Sequence, residues 1–495
     1  MPRSYRFLPR VFRLDPSLLS GPRGSGADPV DALLVALGDL SGLAVLDSCG
    51  GAPRDFSILA FEPLEFVGPG VNDLDGLRAF AGRLRTAGGE PDLPGPFHGG
   101  FLGALSYELG IAGEGLELPR DRFAVPPIVG GLYCDFVVLD HRAGHLYLVL
   151  GEEPGDARPP VLARRTDVER RLRRTEGEAV QVREAAAGVR TVEPLRRRVS
   201  AVEHGRRIDA LRARIAVGEL YQANLAHSFE APIEGCPRDL YRRLRKVNPA
   251  PYAGYLAWNH AETSGAVLSA SPELLVEYDG RRARTRPIKG TIARGADEEQ
   301  DRSQRARLLA SEKDLAELAM IVDLERNDLG RIAEVGSVQA TYPVLESYAA
   351  VHHLVGEVDA KPLPEIDAFG ILGSLFPGGS ITGAPKIASM RAIAELELEG
   401  RGFFTGSLGF VDTRGHALFN ILIRTLVWRP LPEGRGDSGA SCGSQRGEVS
   451  FHVGGGITFS SDPAAEDRET LDKGAALAAA LGGDIQALGF PPLSH

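Results

Sequence analysis

Strand-like runs recur in both halves of this chain with helical stretches between them, and that alternation limits its possible folds more than any other feature. Gly42 to Asp47, Phe56 to Phe66, Gly99 to Tyr107 and Gly131 to Asp140 supply the first half, the last two being apolar and glycine-flanked as buried strands tend to be. Tyr221 to Phe229, Tyr252 to Trp258, Ala266 to Ala270, Leu274 to Tyr278, Leu418 to Val427 and Val449 to Thr458 follow in the second. Between them fall helical patterns: Val202 to Val217 stopped at Gly218, Ser311 to Leu329, and Lys386 to Leu396. A further helix opens at Asp462-Pro463, with Asp at the N-cap and Pro in the first turn, and runs to about Leu481. This order predicts an α/β chain built on large, layered sheets flanked by helices. At 495 residues, 43% of them hydrophobic, the chain has enough apolar side chain for a substantial core.

Composition changes between Glu152 and Ser200, where Arg164, Arg165, Arg170, Arg171, Arg173 and Arg174 crowd a short helical pattern among Pro and Glu. We read residues 153–196 as a charged linker between an N-terminal region, 1–152, and a second region, 197–495. Interleaved acids and the lack of aromatics favour a solvated linker helix over a nucleic-acid contact. The net charge of −10 offers no general attraction to nucleic acid or an anionic membrane, so an anionic substrate would need a local basic pocket. Cysteines at 49, 134, 236 and 442 show no CxxC or zinc spacing and suggest reduced thiols, with Cys49 structural rather than nucleophilic. Met1 to Ser20 lacks a signal-peptide core, and no apolar run approaches membrane length, so a soluble cytoplasmic protein is expected. Arg429 to Gly447, rich in Pro, Gly and Ser, reads as a poorly packed hairpin loop.

Three stretches carry candidate chemistry. In Thr285 to Thr291 a β-like run places Lys289 beside Gly290, after a hairpin turn at Asp279-Gly280. Such a lysine is either a surface group at a strand end or, if buried, an amine whose pKa falls until it can attack as a nucleophile. Gly290 would let a ligand approach the backbone. Asp314 and Glu317, and likewise Glu466 and Glu469, stand three residues apart on helices, so each pair shares a face. These are solvated acidic faces or, taken together, a grip on one divalent cation. Gly378 to Lys386 leads into a helix N-terminus and could stabilise an anion, but Ala384-Pro385 before Lys386 and Ile387 after it break the phosphate-loop pattern.

From about Arg197 to Leu481 the chain closely resembles the chorismate-utilising enzymes, the family that contains anthranilate synthase component I, aminodeoxychorismate synthase component I, isochorismate synthase and salicylate synthase. The resemblance rests on ordered motifs: Ser271-Pro272-Glu273, Pro287 to Thr291, Ile321 to Asp328, His353-Leu354-Val355, Gly379 to Lys386, Asn420 to Thr425 and Gly454 to Lys473. It implies that family's chorismate-binding fold, with sandwich-like sheets. The first 150 residues or so match more weakly, including Leu46-Asp47-Ser48, which in relatives borders a tryptophan pocket. Lys289 lies where aminodeoxychorismate synthases carry lysine and the other branches carry alanine. Gln222 stands where the water-adding members have a basic lysine, which disfavours water addition. Lys313 to Glu317, with Asp314 where anthranilate synthases usually have Glu, points to the same branch.

Carried over position by position, the resemblance implies Mg²⁺ on Glu317 and Glu469, with Asp314 and Glu466 as further or water-mediated ligands. Arg424, the backbone at Gly456, and Lys473 would orient substrate carboxylates, while Thr291 and Ser380 would contact the ring region. Phe404 replaces a substrate-contacting tyrosine of anthranilate synthases. Lys289 would attack ring carbon 2, Glu273 would protonate the departing 4-hydroxyl, and His353 would position the substrate or polarise its leaving group. Ammonia would come from a separate glutamine amidotransferase subunit, since no Gly-x-Cys-x-Gly turn occurs here. Two other readings remain: an anthranilate synthase component I, and a non-catalytic subunit that binds tryptophan or a partner. Whether a product of this branch leads to p-aminobenzoate and folate or to a specialised metabolite is left open.

Overall fold

A computed structural model of the protein describes residues 3–19, 28–49, 55–87, 93–153 except 113, 115, 117, 118 and 120, 157–173, 188–260, 263–348, 351–431 and 445–489. Among these residues the chain builds a 14-stranded and a 10-stranded sheet. Side chains from both, Leu46 and Leu256 from the larger and Leu102 and Phe410 from the smaller, join one buried cluster. Helices Ala201–Ala216, Pro237–Val247 and Pro463–Ala480 pack on the larger sheet, and Glu312–Gly330 and Ala368–Leu375 on the smaller. The layered α/β expectation therefore matches the architecture. No helix among the described residues is long and apolar enough to cross a membrane.

Strands from before and after the charged segment lie side by side in both sheets. Leu46 registers with Gly254 in the larger, and Gly103 with Gly409 in the smaller. The division by composition thus separates stretches of chain that share sheets in space. The segment itself is more than a solvated linker: residues 161–173 are helical, and Val168 and Leu172 enter the core. Arg164, 7% exposed, pairs with the fully buried Asp135, because an interior carboxylate needs a cation beside it. Cys236 is disulfide-bonded, which corrects the all-reduced expectation, whereas Cys49 and Cys134 are free. Most of the loop expected over Arg429 to Gly447 lies outside the described residues.

Two stretches read from sequence as single strands are each divided between the sheets. Ile128–Tyr133 belongs to the smaller and Phe136–Asp140 to the larger. Likewise Ala417–Asn420 lies in the smaller sheet and Thr425–Pro430 in the larger, so Arg424 sits at a corner and not within a strand. Thr263–Ser271 and Leu274–Tyr278 make the same change of sheet through Pro272-Glu273.

Candidate active site

The last two corners run against each other and hold Glu273 next to Arg424. Ile421 N donates to the Glu273 carbonyl at 3.0 Å, Ala270 N to the Arg424 carbonyl at 3.1 Å, and Ser271 Oγ to the Ile421 carbonyl at 2.5 Å. Arg424 has φ of 51°, a left-handed conformation that costs an L-residue on the order of 1–2 kcal/mol. Strain of this kind persists where surrounding contacts over-determine the backbone.

Glu273 and Arg424 line a cavity of about 550 Å³, and Lys289 enters it from the strand Ile288–Ala293. That strand pairs with Val351–Ala360 as Lys289 opposite Leu354 and Thr291 opposite His353, leaving Gly290 as the extra residue of a bulge. Gly290 has φ of 79°, and a Cβ there would lie 3.0 Å from the Asp314 side chain. Glycine therefore permits both the bulge and the approach of the helix carrying Asp314. Lys289 Nζ donates to the Ser380 carbonyl at 3.1 Å. Asn224 Nδ2 donates to the same carbonyl at 2.8 Å.

Burial depresses the Lys289 pKa from its ordinary value, against the pull of Glu317 and Glu273 toward the charged form. Burial raises Glu273, 4% exposed, although Ser380, Lys289 and the Ile288 N–H favour its carboxylate. Both shifts run toward the uncharged forms, the direction a nucleophile and a proton donor need. His353 is pushed down to about 4 by burial and by Arg424, so it is neutral near pH 7. Its Nδ1 shares a 2.8 Å hydrogen bond with the Thr291 hydroxyl. Thr291, expected at the ring, is therefore already engaged in holding His353.

Further acids, Asp314, Glu317 and Glu469 among them, also line the cavity. Asp314 and Glu317 come from Glu312–Gly330, which Ser311 caps, and Glu469 from Pro463–Ala480, which Asp462 caps. Glu317 is raised by burial, while at Glu469 burial is outweighed by Lys473 at 2.8 Å together with Lys313 and Lys289, and the group is lowered. Glu466 is set back outside the cavity lining, where its Oε1 accepts from Ser461 Oγ at 2.6 Å. Lys473 also donates to the Gly454 carbonyl at 3.1 Å, and Gly456 leaves room for Gln222, whose Nε2 would be 2.3 Å from a Cβ there. As oxygen donors, carboxylates from two helices are of the chemical kind a hard divalent cation takes, but their oxygens are not drawn together to mutual ligand spacing. The tightest ligand-like spacing among described residues lies elsewhere, at His204, His227 and Asp467. Arg197 already binds that carboxylate through both oxygens and supplies the cation.

Several sequence candidates fall outside the cavity. In the glycine-rich segment Ser380 and Ile381 line it, but Thr382 donates to the Gly378 carbonyl and Lys386 pairs with Asp328 at 2.5 Å. Asp47 is taken up by Arg245 at 2.7 Å, Ser57 at 2.9 Å and the Cys49 N–H at 2.9 Å. Burial drives the Cys49 thiol up, as expected of an inert cysteine. Asn224 and His452 line the cavity unanticipated. Strand periodicity would have found both, since Asn224 follows Gln222, and His452 precedes Gly454, by two residues.

Corners that bring an acid beside an arginine, a lysine among acids, and a partly open cavity lined by all of them make a site suited to an anionic small molecule. Residues 76–479 match the family described as chorismate binding enzyme, and the chain belongs to that family. It is 35% identical over 441 residues to anthranilate synthase component 1 of Streptomyces coelicolor, covering 87% of this chain and 81% of that protein. It is 36% identical over 380 residues to aminodeoxychorismate synthase component 1 of Klebsiella aerogenes, 76% of each. The crystal structure of anthranilate synthase component I from Streptococcus pneumoniae superposes with a TM-score of 0.68 at 28% identity, covering 86% of this chain and 92% of that one.

Proposed function

We propose that the protein is component I of an aminodeoxychorismate synthase, which replaces the 4-hydroxyl of chorismate by an amino group. The observation that carries this reading is Lys289 itself, an amine in the cavity with its pKa depressed by burial and Glu273 close enough to act on its charge. Lys289 Nζ forms a bond to ring carbon 2, both ring double bonds shift, C1=C2 to C1=C6 and C5=C6 to C4=C5, and the C4–O bond breaks as Glu273 protonates the oxygen to release water. Ammonia then bonds to C4, both double bonds return, and the C2–N bond breaks to free the lysine as an amine. The proton shed by the new C4 ammonium restores Glu273 to its acid form. Neutral His353 holds the ring side of the substrate, and Arg424 and Lys473 bind its carboxylates.

Glu317 and Glu469, with Asp314 beside them and the set-back Glu466 reaching only through water, would hold a magnesium ion that draws electron density from the ring through its carboxylate. The names of the component 1 relatives support a further component, and ammonia would come from it if that component is a glutamine amidotransferase. The Streptomyces coelicolor relative favours the competing reading, an anthranilate synthase component I. Incubation of the purified protein with chorismate, Mg²⁺ and ammonium at alkaline pH, followed by mass spectrometry, decides between them. The expected product keeps the enolpyruvyl group and carries an amine in place of a hydroxyl. Fluorescent anthranilate with pyruvate as the main products would overturn the assignment.

A further inference from the structure

Arg401 lines the cavity, yet none of its donors is free. Nε donates to Glu397 Oε2 at 2.9 Å, and Nη2 to Glu397 Oε1 at 2.6 Å. Nη1 donates to the Ile381 carbonyl at 3.1 Å and the Thr405 hydroxyl at 3.3 Å, and Nη2 also to the Asn224 carbonyl at 2.8 Å. A guanidinium has one N–H on Nε and two on each Nη, so every one is taken. Arg424, on the same cavity, donates among the described residues only to Asn248, at 3.5 Å. Of the two arginines Arg424 is therefore the one that can bind a ligand, and whatever Arg401 contributes passes through the groups it holds.

Those groups belong to three segments distant in sequence, and all line the cavity: Asn224 from the strand Gln222–Glu234, Ile381 from the short helix Gly379–Thr382, and Thr405 from the turn before Ser407–Asp412. Glu397, the last residue of Lys386–Glu397, adds a further tie by accepting from Ala226 N at 2.8 Å. Thr405 is β-branched with φ of 60°, a conformation such residues rarely adopt, so its turn depends on the bonds around it. Two of the ties flank the anchor of Lys289. The Asn224 side chain and Lys289 Nζ both donate to the Ser380 carbonyl, while Arg401 grips the carbonyl of Asn224 itself and that of Ile381, the next after Ser380. One buried guanidinium thus fixes both halves of the Asn224–Ser380 link.

We propose that Arg401 is a positioning residue for the amination: with Glu397 it holds the Asn224 and Ile381 carbonyls so that the Ser380 carbonyl aims the Lys289 amine. The inference rests on Lys289 being the nucleophile of the proposed reaction. Its test is steady-state kinetics with ammonia as the nitrogen donor, on folded protein below its melting temperature. Arg401→Lys keeps a charge for Glu397, but one ammonium cannot reach all the groups that the planar fork spans. It should lower kcat about thirtyfold and leave the KM for chorismate within about threefold, a loss of alignment and not of binding. Asn224→Leu acts on the same carbonyl, so the double variant should stay within about threefold of Arg401→Lys alone. A merely structural role would lower the melting temperature and leave kcat per folded molecule unchanged. If Arg401→Lys fails to fold, Arg401→Gln combined with Glu397→Gln, which removes both buried charges together and strands neither, must give the same loss of kcat and the same coupling to Asn224→Leu. Wild-type kcat in either folded variant, or losses that multiply when Asn224→Leu is added, overturns the inference. Failure of the functional reading is separate, for then the wild-type protein would not form the aminated product.

Discussion

The strands Gln222–Glu234 and Arg446–Ile457 pair along their length, and their two faces treat charge in opposite ways. On the face under the helices, Asp467 is bonded by both Arg197 terminal nitrogens and by His204 Nδ1 at 2.8 Å. His227, kept neutral by burial and by His204, meets Arg197 at 3.2 Å and the Thr470 hydroxyl at 3.1 Å. On the other face Asn224 and His452 look into the cavity, where Lys289, Glu273 and Arg424 meet burial with only partial compensation. One face ties its carboxylate down and fixes a helix. The other leaves titratable groups away from their ordinary pKa values, as chemistry at neutral pH requires.

Removing one group from each face should give opposite results. Lys289→Ala is expected to abolish ammonia-dependent turnover of chorismate, by about a thousandfold or more, without lowering the melting temperature. A buried cation with a depressed pKa costs stability below its unfolded pKa, so its removal relieves that cost. Asp467→Ala should do the reverse: it strands a buried arginine, costs about 3–5 kcal/mol in denaturant unfolding, and leaves turnover per folded molecule within about tenfold. Residual ammonia-dependent turnover in the lysine variant would erase the contrast between the faces.

Much of this was legible in the sequence because its signals are local. Asp462 caps its acid-bearing helix as read, the other acid-bearing helix begins where expected after Ser311, and Lys289 emerges after the expected hairpin. The corners were not legible: apolar alternation continues through Asn420 to Thr425, and nothing in it reveals that the chain leaves one sheet for the other. Setting back Glu466 depended on Ser461, and tying Thr291 to His353 depended on the Gly290 bulge. The Asp467 network joins residues more than two hundred positions apart, so no spacing rule could find it.

A buried acid at the base of the lysine hairpin sharpens the comparison through pH. Burial, against a hydrogen bond from Thr285, raises Glu325 to about 8 from an ordinary 4.5. The folded protein therefore binds more protons than the unfolded chain between those values, and this group loses stability steadily as pH rises through that window. Glu325→Gln should stabilise the protein by a few kcal/mol near pH 8.5 and have almost no effect near pH 4. A stability difference independent of pH would mean that Glu325 is ionised in the fold.

The smallest effect tests how the cavity face aims its nucleophile. Asn224 and Lys289 donate to one carbonyl, that of Ser380, at 2.8 and 3.1 Å. Asn224 thereby fixes the direction of the oxygen that takes one N–H of the lysine, and the amine lone pair is left to point elsewhere in the cavity. Asn224→Leu, similar in size but without the donor, should lower kcat about tenfold and leave the KM for chorismate nearly unchanged, because carbonyl and amine become free to turn. Asn224→Asp should act through charge as well. A carboxylate at that position favours the protonated lysine, so the pH at which kcat reaches half its maximum on the acid side should move upward. An Asn224→Leu enzyme with wild-type kcat would show that the Ser380 carbonyl needs no help in orienting Lys289.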